Sequence, residues 1–412
     1  FFPWYPLTII LLMLRNINRK PIQTVMLNLT YTLGFFKEIF YEKNITHKLN
    51  MKILVFPKDS GNPYQSQLFN PMRAKGVQIG YLKLSTINPI VDIFFSVIQL
   101  IGYRFLGYSL FHIHWVYPFG LNAKMRQVKL FNTCAYWCYI LTLLCIKFLG
   151  YKLVWTAHNA LPHEPVFGGD KELKARKWLV KLADLVIVHS ESTVDELAKI
   201  GLHPQKCITI PHGSYVDVYQ NTISQVEARQ KLGLREDKFI YLFLGQIRDY
   251  KGVDVLLEAY SQVRTENTVL VIAGACRDPE LRKLLSNSVD DSIVWHDWLV
   301  PDESLQNYFN AVDVAVLPFK KITTSGSALL ALSFGKAVII PTMGDLSKLS
   351  SSISYKYNPT QVDGLVEAMV SVRNNLNDLQ QKNSAARAYA DKLAWPNIAE
   401  KTQKAFKELF TK

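Results

Sequence analysis

The chain has 412 residues, of which 49% are hydrophobic and 20% charged. That length suffices for two domains, and that composition excludes a disordered chain. A formal charge of +13 points to an anionic partner. The five cysteines form no CxxC pair, which argues against a metal site and fits reduced thiols in the cytosol.

Basic residues are spread along the chain and no nucleic-acid module is visible, so the anionic partners expected are a membrane surface and a phosphorylated substrate, with no nucleic acid. Residues 1–50 begin with Phe1 rather than Met. Phe1 to Leu14 is apolar but too short and proline-broken for a membrane span, and it lacks the basic flank of a signal peptide. Met51, followed by the apolar run to Phe56, reads as a natural start. Residues 1–50 are therefore expected to be an extension, either non-native or membrane-proximal.

From Met51 the pattern alternates buried-strand runs with helical stretches, as in a parallel sheet. Strands are expected at Lys52–Phe56, Val77–Leu82, Ser109–Trp115, Lys152–Thr156, Leu185–His189 and Cys207–Ile210. Ligands of such sheets bind beyond the carboxyl ends of the strands. Three of these ends carry His114, His158 and His189. Val128–Leu149 is long and aromatic enough to cross a bilayer, but it lies between two strands of one predicted sheet. It reads as a helix packed on the sheet, with aromatic surface left over for a membrane or simply buried.

Residues 219–238 are polar and read as a connection between a first domain, 51–218, and a second, 239–392. The second has strand runs at Phe239–Leu244, Val269–Ala273, Ile293–Trp295, Val312–Leu317 and Ala337–Ile340. An amphipathic helix over Pro396–Phe410 closes the chain, within a last segment 393–412. In the second domain the strand ends carry glycines or hydroxyls: Gly245 with Arg248 and Lys251, Gly274, then Thr324, Ser325, Gly326 and Ser327 ahead of a helix. A helix N-terminus with such neighbours suits a phosphate, with Lys320 and Lys321 just upstream, although the same TSGS run could be an ordinary helix cap. A diphosphate at this edge would meet Arg248, Lys251 and the helix end.

At this point FLGQIRDYKGVDVLLEAY, LVIAGA, HDWLVPDESLQNYFNAVDVAVLP and SALLALSFGKAVIIP, with FHIHW, WTAHN, ADLVIVHSEST and IPHGSY upstream, resemble the GT-B glycosyltransferases, specifically the bacterial family-4-like (group 1) branch. The resemblance runs from Met51 to the C-terminus. It implies an α/β fold of two facing Rossmann-like domains with parallel sheets, the donor sugar nucleotide in the second, and a final crossover helix. It implies that Arg248 and Lys251 hold the donor diphosphate, that Ser325, Gly326 and Ser327 meet phosphate and sugar, and that Trp298 lies in the loop that contacts the nucleobase. His158 would lie near the transferred sugar. Catalysis is expected from His158 or Glu164, and the acceptor side from Gly61, His114 and His163. The branch usually carries two glutamates that here are Ile322 and Leu330, and a cation where this chain has Gln246.

The expected activity is transfer of a sugar from a nucleotide-diphosphate donor to a lipid-linked or polysaccharide acceptor in surface polysaccharide biosynthesis. The expected site is cytoplasmic, peripheral on the inner face of the plasma membrane. No cofactor and no metal are expected, since the catalytic loops carry no DxD-like pair. An inverting course would require a base such as His158 or Glu164; in a retaining one His158 would only orient. The alternative motivated by the missing glutamates is a non-catalytic nucleotide-sugar-binding or scaffold subunit. A membrane-anchored protein is the third.

Overall fold

A computed structural model describes residues 51–411, apart from 60–61, 85–88, 117–127, 159–165, 169, 202–206 and 323–324. The extension 1–50 lies outside the described residues, and so do Gly61, His163, Glu164 and Thr324.

The first sheet contains β1 (Lys52–Phe56), β2 (Gln78–Tyr81), β3 (Leu110–Ile113), β4 (Lys152–Ala157), β5 (Leu185–Val188) and β6 (Cys207–Thr209), in the order β2-β1-β3-β4-β5-β6. The second contains β7 (Phe239–Leu244), β8 (Thr268–Ala273), β9 (Ile293–His296), β10 (Val314–Val316), β11 (Val338–Pro341) and β12 (Ser354–Tyr357), in the order β12-β11-β10-β7-β8-β9. The registered pairs are parallel. Crossovers between parallel strands need helices, and helices occupy the intervening stretches. The short apolar runs become strands because both their faces are covered: in β1, Ile53, Leu54 and Val55 are all fully buried. β12 was not foreseen from its sequence, SYKY, in which only Ser354 and Tyr357 are buried.

The second sheet shows how its two cores divide. Ile240, Leu242, Val271, Ala273 and Val338 face one way, onto helices Leu305–Ala311 and Gly326–Ser333. Tyr241, Phe243, Leu270, Ile272 and Ile339 face the other, onto helices Val253–Val263 and Gly364–Asn374. This is the two-residue period of a strand feeding two separate hydrophobic layers.

The chain falls into two compact units. Of the described residues, one holds those within 51–58, 76–155 and 163–184; the other holds those within 59–75, 156–162 and 185–412. Within the second, residues 219–238 contain a helix, Gln225–Lys231, opened by a capping box between Ser224 and Glu227. Arg229 of that helix pairs with Asp313 at 3.1 Å and donates to the Ala311 carbonyl at 2.8 Å.

The last helix, Trp395–Glu408, packs on the helix Tyr64–Ala74 inside the second unit. Its apolar face of Ile398, Ala399, Thr402, Ala405 and Phe406 is buried, as the pattern implied. Its anchor is Trp395, which lies against Gly213: a Cβ built on Gly213 would stand 2.4 Å from the indole. The next amide, Ser214 N, donates to the Leu393 carbonyl at 2.9 Å. Gly213→Ala should therefore cost about 1–3 kcal/mol of stability through forced repacking of Trp395. Urea unfolding against Gly168→Ala, whose added methyl meets nothing within 4 Å, checks this; equal midpoints would contradict the assignment.

Candidate active site

β7 and β8 keep their ladder past their ends. Gly245 N donates to Ala273 O at 2.9 Å, Ile247 N to Ala275 O at 3.0 Å, and Gly274 N to His296 O at 3.0 Å. This requires close backbones, and a Cβ on Gly274 would lie 1.9 Å from the Gly245 carbonyl oxygen. The chain then turns through the short helix Asp249–Lys251 into Gly252, whose φ of 71° is left-handed and favours glycine. A Cβ on Gly252 would also collide with the Pro318 carbonyl, at 2.0 Å. The β7 and β10 loops are thus held together by glycine, by Lys320 N donating to Tyr250 O at 2.9 Å, and by the Tyr250–Phe319 stack.

Lys320 was expected to help hold phosphate. It forms ion pairs with Asp249 and Asp254 instead, each at 2.7 Å. Its charge braces the loop, and Lys321 beside it is exposed.

Lys251 is different. No carboxylate among the described residues pairs with it. A Cβ on Gly245 would come within 2.7 Å of its Nζ and 3.8 Å of Ser327 Oγ, so ammonium, glycine and hydroxyl converge. Burial, aided by the nearby Arg248 charge, lowers the Lys251 pKa to about 8. Arg248 itself is exposed and donates to Gln246 Oε1 at 3.1 Å.

Ser325 caps the helix Gly326–Ser333 by accepting from Ala328 N at 3.1 Å, so the ordinary capping reading of that serine holds. The Tyr215 hydroxyl stands 3.4 Å from where a Gly326 Cβ would be. Ile322 and Leu330, at the usual glutamate positions, both pack against the apolar core. Trp298 is 50% exposed and stacks on His296 at 4.6 Å; the His296 Nδ1 meets the Tyr308 hydroxyl at 2.8 Å. Trp298 thus keeps exposed aromatic surface.

Also in the second unit, three strand-end histidines surround one phenol. The Tyr64 ring centre lies 4.6 Å from that of His158, 5.5 Å from His189 and 5.1 Å from His212, with Trp395 at 5.1 Å. His189 Nε2 is 3.4 Å from His158 Nδ1, and His189 Nδ1 is 2.9 Å from the Ile210 carbonyl. Burial lowers the His189 pKa to about 3 and lowers that of His212 too. His212 leads back to the donor helix, since its ring centre is 5.8 Å from that of Tyr215 and Tyr215 N donates to Ser333 Oγ at 2.9 Å.

His212, Tyr215, Tyr64 and Trp395 were not singled out from the sequence, although IPHGSY sits just past a strand as WTAHN does. His114 is buried in the first unit, its ring centre 4.2 Å from that of His112. No group of metal-binding side chains occurs among the described residues.

Two family models match: Glycosyltransferase Family 4 over residues 64–217 and Glycosyl transferases group 1 over 238–375. A GDP-mannose:glycolipid 4-beta-D-mannosyltransferase of Xanthomonas campestris is 26% identical over 86% of this chain and 91% of its own length. The lipopolysaccharide 1,2-N-acetylglucosaminetransferase of Salmonella typhimurium is 26% identical over 49% of this chain and 57% of its own. The sucrose-phosphate synthase of Thermosynechococcus elongatus superposes with a TM-score of 0.67 at 17% identity, over 88% of this chain and 99% of its own. The chain belongs to the group 1 glycosyltransferases of GT-B fold, which are sugar-nucleotide-dependent transferases.

Nucleoside diphosphate binding should follow the Lys251 charge. Below about pH 8 the amine is an ammonium and attracts phosphate; above it the charge is lost. Affinity should hold steady below that pH and fall by up to about tenfold per unit above it. Lys251→Ala should weaken binding about 10- to 100-fold at pH 7, and Lys251→Arg should flatten the alkaline fall. Calorimetry with UDP and GDP at pH 7 and 9 checks both, and unchanged affinity in Lys251→Ala would remove the diphosphate assignment.

Proposed function

We propose that this transferase moves a hexosyl group from a nucleotide-diphosphate sugar to a lipid-linked or polysaccharide acceptor during surface polysaccharide biosynthesis. The observation that carries the donor assignment is the convergence of Lys251 Nζ, Ser327 Oγ and the N-terminus of the helix Gly326–Ser333 on Gly245. The relative matched over most of its length uses GDP-mannose and a glycolipid, by its name, and GDP-mannose is the first donor proposed here.

In the reaction the acceptor oxygen bonds to the anomeric carbon and the bond from that carbon to the phosphate oxygen breaks. The nucleoside diphosphate leaves with the electron pair. Its growing negative charge is met by the Lys251 ammonium, Arg248 and the helix N–H groups. The hydroxyl proton passes to His158 in an inverting course, or to the departing phosphate in a retaining one, with His158 then accepting a sugar hydroxyl's hydrogen bond. Trp298 offers its exposed surface to the base of the nucleotide. No step requires a metal.

A thermal-shift panel with UDP, GDP, ADP and their sugars tests the donor. Saturation at about a hundred times the dissociation constant adds about 2.7 kcal/mol of stability. GDP and GDP-mannose should shift the transition most, and a labelled sugar should then appear in a lipid extract. A panel with no shift would return the scaffold alternative.

The acceptor reading extends to a membrane surface. The helices Pro89–Phe105 and Lys129–Phe148 pack together in the first unit. Their outer side exposes Phe94, Ile101, Phe105, Leu130, Trp137, Leu141, Leu144 and Phe148, the last 91% exposed. The second helix is long and apolar enough to cross a membrane, yet half of its apolar window is buried in the fold. Lys129 is exposed on it, Lys147 is paired with Asp184, Arg104 lies on its partner, and Asp92, the acid of the two helices, is buried. An apolar stripe with basic flanks fits peripheral docking on an anionic bilayer, at the cytoplasmic face. Replacing Phe105 and Phe148 with serine should abolish flotation with anionic vesicles and leave donor binding intact; flotation that survives the change would remove this surface.

A further inference from the structure

We propose that His189 is a positioning residue that fixes the tautomer of His158, so that the lone pair needed for sugar transfer sits on His158 Nε2. The inference rests on the transferase reading above for its function, and on ring geometry for its content.

His189 lies at the junction of β5 and the helix Glu191–Ala198, where Ser190 caps the helix by accepting from Thr193 N. Its Nδ1 stands 2.9 Å from the Ile210 carbonyl oxygen. A carbonyl only accepts, so the proton of the imidazole is on Nδ1. That carbonyl is fixed in turn, because Ile210 N donates to Val188 O at 2.9 Å in the parallel ladder. His189 is neutral near pH 7, since burial and the adjacent His212 oppose its charged form. A neutral imidazole protonated on Nδ1 has only an acceptor at Nε2.

That acceptor faces His158 Nδ1 at 3.4 Å. The distance is long for a hydrogen bond, but the alternative tautomer would set two lone pairs against each other. The arrangement therefore places the His158 proton on Nδ1, donating to His189, and the lone pair on Nε2. Both roles open to His158, taking the acceptor's proton and accepting from a sugar hydroxyl, need that lone pair. A buried carbonyl thus selects the basic atom of a strand-end histidine through one intervening ring.

Among the described residues, the rings packed against the pair do not upset this assignment. His212 directs Nδ1 to the Gly213 carbonyl at 2.7 Å, and its burial favours the neutral ring. Tyr64 is held as the phenol by burial, with a side-chain hydrogen bond to Thr156. Trp395 closes the same cluster with an apolar ring. None of the three brings a charge to the pair.

The direct test is the imidazole nitrogen spectrum of the full chain labelled with 15N-histidine, between pH 6 and 8. His158→Asn and His189→Phe assign the two rings among the nine histidines. Both rings should show a protonated Nδ1 and a bare Nε2 at pH 7. His158 found with its proton on Nε2, or as an imidazolium at pH 7, would overturn the proposal. This readout needs no substrate, so it stands apart from failure of the transferase reading, which would show as absence of transfer by the unaltered protein. In kinetics, His189→Phe keeps a ring but removes the acceptor. Its kcat should fall about tenfold or more with donor KM changed less than about threefold. The acid limb of its pH profile should move to lower pH, because the imidazolium of His158 loses a hydrogen-bond acceptor. His189→Gln, which restores an acceptor oxygen, should recover part of the loss. A kcat loss in His189→Phe with the His158 tautomer unchanged would make His189 merely a packed ring and end the proposal.

Discussion

The candidate donor site depends on one close approach: the Gly245 carbonyl occupies the place where residue 274 would otherwise carry a side chain. With the Cβ absent, β7 and β8 stay hydrogen-bonded beyond their ends, and the following turn is carried over the edge of the sheet. Gly252 repeats the device against Pro318, so the β7 and β10 loops meet backbone to backbone. Lys251, between these two contacts, lies against Gly245, where an added Cβ would come within 2.7 Å of its Nζ. Its position comes from main-chain packing, which holds far more firmly than a side-chain contact at the surface.

The same packing sets the electrostatics. Lysines near a phosphate site are commonly read as equivalent, but partners separate them here. Lys320 lies between Asp249 and Asp254, and its charge is satisfied before any ligand arrives. Lys251 lies beside a glycine and a hydroxyl, and burial has already made its ammonium costly. A bound diphosphate relieves that cost, so Lys251 gains more from the ligand than an exposed lysine would. In the histidine cluster burial instead favours neutral rings, which leaves hydrogen-bond direction as what distinguishes one nitrogen from another.

Much of the fold is legible because parallel strands covered on both faces are written as unbroken apolar runs: Ile240 to Leu244 and Val269 to Ala273 could hardly be anything else. β12 is written SYKY, lies at the sheet edge and buries only its end residues, so no such run marks it. Gly245, Lys251 and Ser327 could be picked out because glycine, cation and hydroxyl at strand ends each have a local chemical reason. The Lys320 partners could not, since Asp249 is 71 positions away and only the folded loops bring them together. His212 and Tyr215 escaped for a related reason: each acts through a neighbour, the Tyr64 ring or the Gly326 backbone, that the sequence leaves distant.

The apolar residues at 322 and 330 carry the remaining consequence. Both are partly buried and pack on the core that backs the helix Gly326–Ser333. A glutamate at either place would need hydration or a cation, and an apolar side chain there needs neither. On the proposed transfer, positions 322 and 330 would offer the donor's sugar hydroxyls no carboxylate, and the direction in which His158 accepts would then weigh in the choice of sugar.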